Sequence, residues 1–177
     1  MTADPTGLAG VAHALADHLR FHQALGVRDL PLAGEPLGGA PAALRRVEAA
    51  SVGCTRCKLS RGRTTIVFGA GAPEARLVLI GEGPGEEEDR QGKPFVGRAG
   101  QLLTKMLESV GITREEVYIC NIVKCRPPGN RNPEPEEIAA CAPFLAGQLA
   151  AIQPGVICAM GTFAAQQLLR TREPISR

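Results

Sequence analysis

The pattern of apolar and polar positions divides the chain into two parts. Residues 7–25 carry apolar side chains at roughly helical spacing and predict an amphipathic helix. A connector rich in proline and glycine follows at residues 31–41, and a second helix is predicted from residue 42. We therefore predict an N-terminal helix with its connector over residues 1–41 and one compact domain over residues 42–177.

Within the second part, short apolar runs alternate with helical patterns, which predicts a parallel sheet with helices on both faces. The predicted strands cover residues 64–68, 75–81, 117–123 and 155–161. The predicted helices cover residues 42–52, 98–110 and 135–151 and a segment that starts at Thr162. The helix over 98–110 carries an apolar stripe formed by Leu103, Met106, Leu107 and Val110. We expect this stripe to lie in the core.

Composition narrows the class of protein. The chain is 44% hydrophobic but only 3% aromatic, so its core must be aliphatic. A net charge of +2 is too balanced to indicate nucleic-acid binding by bulk charge, and any basic face must be local. The N-terminus lacks the pattern of a secretory signal, and no apolar run has membrane-spanning length. These features predict a cytoplasmic protein with no membrane contact, which would be associated with the nucleoid only if it acts on DNA.

Four of the six cysteines are candidate metal ligands. They are Cys54, Cys57, Cys125 and Cys141. Two form a C-x2-C pair before the predicted sheet, and two follow its third strand. Four thiolates make a complete ligand set for zinc or for an iron–sulfur cluster, and their spacing does not separate the two. Cys120 and Cys158 fall in apolar strand patterns and are predicted to be buried free thiols.

The segment GEGPGEEED, residues 81–89, directly follows a predicted strand. Its glycines allow a ligand to approach the backbone closely. It is not a dinucleotide fingerprint, because a proline removes one donor and a run of acids would repel a pyrophosphate. Glu86, Glu87 and Asp89 are predicted to be solvated loop acids. Glu82, placed between two glycines, is a candidate functional residue.

Phe95 and Asn121 both interrupt their local pattern. Phe95 stands in the turn-rich GKPFVGRAG, where it serves either the core or the stacking of a planar ligand. Asn121 interrupts an apolar strand, and its amide donates and accepts at once, which matches the edge of a pyrimidine imide. Cations near these motifs predict a phosphate-contacting face, with scattered solubility charges as the alternative. They are Arg56, Lys58, Arg61, Arg63, Lys124, Arg126 and Arg131.

The order and spacing of GEGPGEEED, GKPFVGRAG, YICNIVKCRPPGNRNP and the four cysteines resemble the family 4 uracil-DNA glycosylases, the iron–sulfur type. The resemblance covers about residues 42–177. It implies a three-layer α/β/α sandwich with a four-stranded parallel sheet, preceded here by an N-terminal helical extension. It also implies hydrolysis of the N-glycosidic bond of deoxyuridine in single- or double-stranded DNA. A structural [4Fe–4S] cluster, rather than zinc, would be held by Cys54, Cys57, Cys125 and Cys141.

The resemblance also implies a set of substrate contacts around a flipped uracil. Gly83 and neighbouring backbone amides would contact the base. Phe95 would stack on it, and Asn121 would hydrogen-bond its N3–H and O4.

Three further residues are implied to be catalytic. Glu82 would stabilise the developing sugar cation or position water. Glu88 would lie near uracil C5 and exclude the methyl group of thymine. Asn130 would help to hold substrate or water.

One family motif has no counterpart here, a His-Pro-x-x-Leu-like loop whose histidine binds uracil O2. The chain's histidines lie on the predicted N-terminal helix; they are His13, His18 and His22. We therefore expect a monomer whose C-terminal part is missing and whose activity is impaired unless a separate C-terminal fragment completes it. The alternatives are a non-catalytic nucleic-acid-binding module with a structural four-cysteine metal site, and, less compatible with the cysteine spacing, an electron-transfer protein.

Overall fold

The structure is a computed structural model that describes residues 39–175. The predicted helix over 7–25 lies outside the described residues, so the division at residue 41 stays a prediction. In chain order the elements are α1 (Gly39–Ser51), β1 (Ala70–Gly71), β2 (Leu77–Gly81), α2 (Glu86–Gln91), α3 (Arg98–Ser109), β3 (Tyr118–Asn121), α4 (Pro135–Ile152), β4 (Val156–Ala159) and α5 (Thr162–Leu169). Short 3-10 turns occupy Lys58–Arg61 and Pro128–Asn130.

The sheet has the order β1-β3-β2-β4. Strand β2 pairs in parallel with both β3 and β4, whereas β1 pairs antiparallel with β3. The predicted α/β class and four strands are confirmed, but the fully parallel sheet and the strand at 64–68 are wrong. The backbone N–H groups of Thr64 and Thr65 donate to the Asp89 carboxylate instead of a strand ladder. The first strand therefore forms only after this segment and has two residues.

The two faces of the sheet are covered by different helices, which confirms the three layers. Because successive strand residues point to opposite faces, Val78 and Ile80 enter one core and Leu79 enters another. The larger core includes Leu44 of α1 and residues of α4 and α5. The smaller core includes Leu107 of α3.

The stripe on α3 only partly enters the core. Leu107 is buried and Leu103 is half-buried, but Met106 and Val110 are 59% and 68% exposed. The expectation of a buried stripe is therefore wrong for the latter two. The smaller core offers α3 only a narrow apolar strip, so the residues one step around the helix remain in solvent.

The acidic run after β2 is a helix, α2, where a loop was expected. Its acids lie in the first turn, where they interact favourably with the partial positive charge of the helix N-terminus. Asp89 is only 3% exposed and accepts three hydrogen bonds from Thr64 and Thr65, so its predicted solvated role is wrong. No helix within residues 39–175 is long and apolar enough to cross a membrane.

Candidate active site and cysteine cavity

The candidate active site begins where β2 and β3 end side by side. Gly81 and Asn121 are the last residues of these strands and are register partners. The two segments beyond these strands stay side by side, because Ile122 N–H donates to the Gly81 carbonyl and Val123 N–H donates to the Glu82 carbonyl. The glycine-rich segment and the segment after β3 therefore leave the sheet at one edge, where α/β proteins bind ligands.

The buried side chain of Asn121 lacks a polar partner among residues 39–175. It is 1% exposed, and neither Nδ2 nor Oδ1 has a hydrogen-bond partner in this part of the chain. Burial of an unpaired amide is unfavourable, and almost all buried polar groups in proteins are paired. A ligand that offers one acceptor and one donor would satisfy both atoms.

The Phe95 ring lies beside this amide, over the backbone of Gly81. A Cβ atom on Gly81 would stand 2.5 Å from Phe95 Cζ and 2.6 Å from Asn121 Oδ1. Only glycine leaves room for both groups. The structure thus brings together Phe95 and Asn121, two of the residues predicted to contact the base, and adds Gly81 as the floor between them.

Glu88 holds the segment that carries Phe95. Its Oε1 accepts hydrogen bonds from the Val96 and Gly97 N–H groups at 2.9 and 2.8 Å, and its Oε2 accepts one from Gly85 N–H at 3.2 Å. The carboxylate therefore joins the start of α2 to the start of α3. Its predicted position near uracil C5 stays a prediction.

Glu82 and Gly83 follow directly on the floor of the site. Glu82 is half-buried, its carboxylate has no hydrogen bond or ion pair among residues 39–175, and burial raises its pKa. Gly83 lies so close to Val123 that an added Cβ would stand 3.0 Å from Val123 Cγ2. Because Gly83 has no side chain, its backbone can lie this close to Val123.

Asn130 lies farther out, on the exposed 3-10 turn after β3. Its backbone has a φ of +54°, and its Oδ1 accepts a hydrogen bond from Arg126 Nε at 2.8 Å. Arg126 also pairs with Glu86 at 3.2 Å, which ties this turn to α2. The contact with substrate or water predicted for Asn130 stays a prediction.

The candidate cysteine ligands line one cavity. They are Cys54, Cys57, Cys125 and Cys141. Arg63 Nη1 donates to the Cys125 sulfur and Lys124 N–H to the Cys141 sulfur, both at 3.3 Å. Burial raises the pKa of the Cys125 thiol and takes that of Cys141 to about 11. Among the described residues, no three His, Cys, Asp or Glu side chains are grouped around a position for a single metal ion.

The two remaining cysteines lie outside this cavity. Cys120 is fully buried in β3, as predicted, and burial raises its pKa. Cys158 is exposed on β4, so the prediction of a buried thiol is wrong there. Because β4 is the edge strand of the described sheet, its side chains are less covered than those of β2 and β3.

Most of the cations predicted to face phosphates are engaged within the protein. Lys58 pairs with Glu134, and Arg131 with Glu137 at 2.7 Å. The Arg56 guanidinium lies 4.8 Å from the centre of a phenylalanine ring. Lys124 is buried altogether, so its predicted phosphate contact is wrong. No sequence motif signals that this lysine faces inward.

The fold and its pocket define an α/β domain that presents a buried amide and an aromatic ring at the carboxyl ends of its parallel strands. The sequence model of the uracil DNA glycosylase superfamily matches residues 68–176, and the chain belongs to this superfamily. Its predicted resemblance to the family 4 enzymes is confirmed by its similarity to type-4 uracil-DNA glycosylases.

The chain is similar to several curated proteins over more than half of its length. A type-4 uracil-DNA glycosylase of Thermotoga maritima is 60% identical over 111 residues, which cover 63% of this chain and 58% of the relative. The type-4 enzyme of Archaeoglobus fulgidus is 53% identical over 113 residues, covering 64% and 57%. A type-5 uracil-DNA glycosylase of Thermus thermophilus is 36% identical over 118 residues, covering 58% and 53%. The chain thus spans somewhat more than half the length of each.

Proposed function

We propose that this protein is a uracil-DNA glycosylase that hydrolyses the N-glycosidic bond of deoxyuridine in single- or double-stranded DNA. It would release uracil and leave an abasic site, acting as a cytoplasmic monomer. The observation that carries the proposal is the amide of Asn121, which is buried beside the ring of Phe95 and has no partner among the described residues. The names of the type-4 relatives support it.

The pocket suits a uracil that has left the base stack. Extrusion of a base costs a few kcal/mol, and stacking on an aromatic ring such as Phe95 returns roughly 1–3 kcal/mol. These terms nearly cancel, so selectivity rests on polar contacts. Asn121 Nδ2 would donate to uracil O4 and Oδ1 would accept from N3–H. Cytosine offers a donor in place of O4, and such mismatches allow discrimination of roughly 10⁴ to 10⁵.

Bond cleavage places opposite charges on the two separating fragments, the sugar and the base. The C1′–N1 bond breaks with its electron pair on uracil, water adds to C1′, and one proton of that water is released. The ionised Glu82 would stabilise the cationic sugar, and the backbone N–H of Gly83 would favour the anionic base. Glu88 and Asn130 would complete the catalytic set, near C5 and beside substrate or water respectively.

The four thiols that line one cavity make a complete ligand set for a [4Fe–4S] cluster, which the resemblance to the iron–sulfur type favours over zinc. Arg63 and the Lys124 N–H, which donate to two of the sulfurs, would offset the negative charge of the thiolates. When bound, the cluster supplies a structural cross-link among Cys54, Cys57, Cys125 and Cys141.

The direct test is alkali-developed strand cleavage of a single-stranded oligonucleotide that contains one uracil, with matched thymine and cytosine strands. We expect cleavage at uracil alone, and a loss of about 10²-fold in Asn121→Ala, because one positioned polar contact is commonly worth that much. Asn132→Ala is the matched control, since Asn132 is exposed. Equal rates for Asn121→Ala and the parent would refute the role of Asn121. A folded parent that spares uracil both alone and with a separate C-terminal fragment supplied would refute the enzyme and favour the binding module.

A further inference from the structure

Phe95 has a backbone conformation that it does not adopt without support. Its φ of +52° lies in the left-handed region that favours glycine. Residues in this region persist where surrounding contacts enforce them, and they concentrate at functional sites. The contacts that hold the peptide groups on both sides of Phe95 therefore decide where its ring lies.

Arg114 holds the peptide group that precedes Phe95. This arginine lies in the turn between α3 and β3, and its Nη2 donates to the Pro94 carbonyl at 2.8 Å. Its Nη1 donates to Thr104 Oγ1 at 3.2 Å and to the Gly100 carbonyl at 3.5 Å. One planar guanidinium thus joins the segment before Phe95 to the first turns of α3.

The opposite side of Phe95 is held by other groups. Val96 and Gly97 donate to Glu88, so the peptide after Phe95 is fixed from α2. Gly100 lets α3 approach closely, since an added Cβ there would stand 1.9 Å from the Phe95 carbonyl oxygen. The segment is therefore held from two sides, and among residues 39–175 Arg114 is the side chain that donates to the Pro94 carbonyl.

We propose that Arg114 is a positioning residue that keeps the Phe95 ring over Gly81, beside the Asn121 amide, in the orientation that stacks on the base. The proposal rests on the proposed function for the role of stacking. The positioning itself belongs to the free protein. Arg114 touches backbone carbonyls and a hydroxyl, and it acts on the reaction only through Phe95.

The first test measures hydrogen exchange of the Val96 and Gly97 amides, which Arg114 does not itself contact. In Arg114→Ala we expect both to exchange about tenfold faster, because the segment opens locally. Arg114→Lys keeps the charge and one donor group, so its amide exchange rates should lie between those of the parent and those of Arg114→Ala. Arg76→Ala, at an exposed arginine before β2, should leave these amides unchanged. Unchanged exchange in Arg114→Ala overturns the proposal, whether or not the protein excises uracil.

The second test is a double-mutant cycle on kcat/KM for uracil excision. We expect Arg114→Ala to lower kcat/KM about tenfold, as a misplaced contact group does, and to add nothing further in a Phe95→Leu background. Independent, multiplicative losses would show that Arg114 acts by another route and overturn the proposal. If Phe95→Leu excises as fast as the parent, the proposed stacking fails instead, and hydrogen exchange alone decides whether Arg114 positions the segment.

Discussion

At the scale of single residues, the site depends on groups whose surroundings are unfavourable until a ligand arrives. Among residues 39–175, Asn121 is buried without a hydrogen-bond partner, and Glu82 is half-buried with a pKa that burial raises. Gly81 leaves the space between Asn121 and Phe95 that any side chain would fill. These features suit a site that is preorganised for a neutral planar base attached to a sugar that becomes positive.

The raised pKa of Glu82 predicts an acidic limb in the pH profile. As pH falls through this pKa, which burial places above the ordinary value for glutamate, the carboxylate is protonated and no longer stabilises the cationic sugar. The excision rate should therefore fall toward low pH. We expect Glu82→Gln to be slower by about 10²-fold and to lose this limb. Single-turnover rates measured against pH provide the check, with the exposed Glu74→Gln as control; the same limb in Glu82→Gln would assign it to another group.

Gly81→Ala should close the pocket. The new Cβ would meet Phe95 Cζ and Asn121 Oδ1 at 2.5 and 2.6 Å, so one of the two groups must move. A displacement of this kind costs roughly 10²-fold in rate. Gly62→Ala is the matched control, because no atom of the described part of the chain lies within 4 Å of its added Cβ. Undiminished excision by Gly81→Ala would place the base elsewhere.

At the scale of elements, a buried polar network joins α4 to the end of β3. Lys124 Nζ donates to the Asn121 carbonyl at 2.8 Å and to Gln148 Oε1 at 2.5 Å. Gln148 Nε2 donates in turn to the Phe68 carbonyl at 2.8 Å and to the Tyr118 hydroxyl at 3.0 Å. One glutamine of α4 thus fixes the lysine that supports the backbone of Asn121.

Gln148→Leu should destabilise the fold strongly. The substitution roughly keeps the side-chain volume. It removes the acceptor for the buried Lys124 and the donors to the Phe68 carbonyl and the Tyr118 hydroxyl. Removing a partner from a buried charge typically costs about 3 kcal/mol in the free energy of unfolding. Urea denaturation would measure it, against Gln101→Leu on the exposed side of α3. A loss no greater than in the control would show that the network contributes little.

At the scale of the whole molecule, the cysteine cavity connects segments that are far apart in sequence. Its cysteines come from the loop after α1, the segment after β3, and α4. Lys124 links this cavity to the active site, because its backbone N–H reaches the Cys141 sulfur while its side chain reaches the Asn121 carbonyl. Loss of the proposed cluster should therefore loosen the strand ends as well as the cysteine loops.

The metal content of the parent separates the cluster from zinc, and Cys125→Ser tests the structural role of the cluster. We expect the parent to bind about four iron atoms per chain with visible absorbance. The variant should lose the iron and the absorbance and should unfold at lower temperature. Cys158→Ser is the matched control, because Cys158 is exposed and outside the cavity. Iron and zinc content by elemental analysis provides the measurement. One zinc per chain in the parent, with no iron, would refute the cluster.

Prediction from sequence succeeded where the signal is local. The apolar runs predicted β2, β3 and β4, and the 3.6-residue period predicted α3 and α4. It failed at residues 64–68, where the pattern is typical of a strand but the backbone N–H groups of Thr64 and Thr65 donate to the Asp89 carboxylate. It also failed on α3, because periodicity shows that a face is apolar but not how much surface the sheet offers to cover it.

The sequence by itself determined the α/β class, the order of most elements, the candidate pocket residues and the four candidate ligand cysteines, because residue type and spacing carry that information. The tertiary structure decided which of these residues meet. Parallel pairing set Gly81 beside Asn121, and the grip of Glu88 and Arg114 set Phe95 over both. It also turned Lys124 inward and Cys158 outward. Burial and pairing depend on contacts between segments distant in sequence, and no local pattern records them.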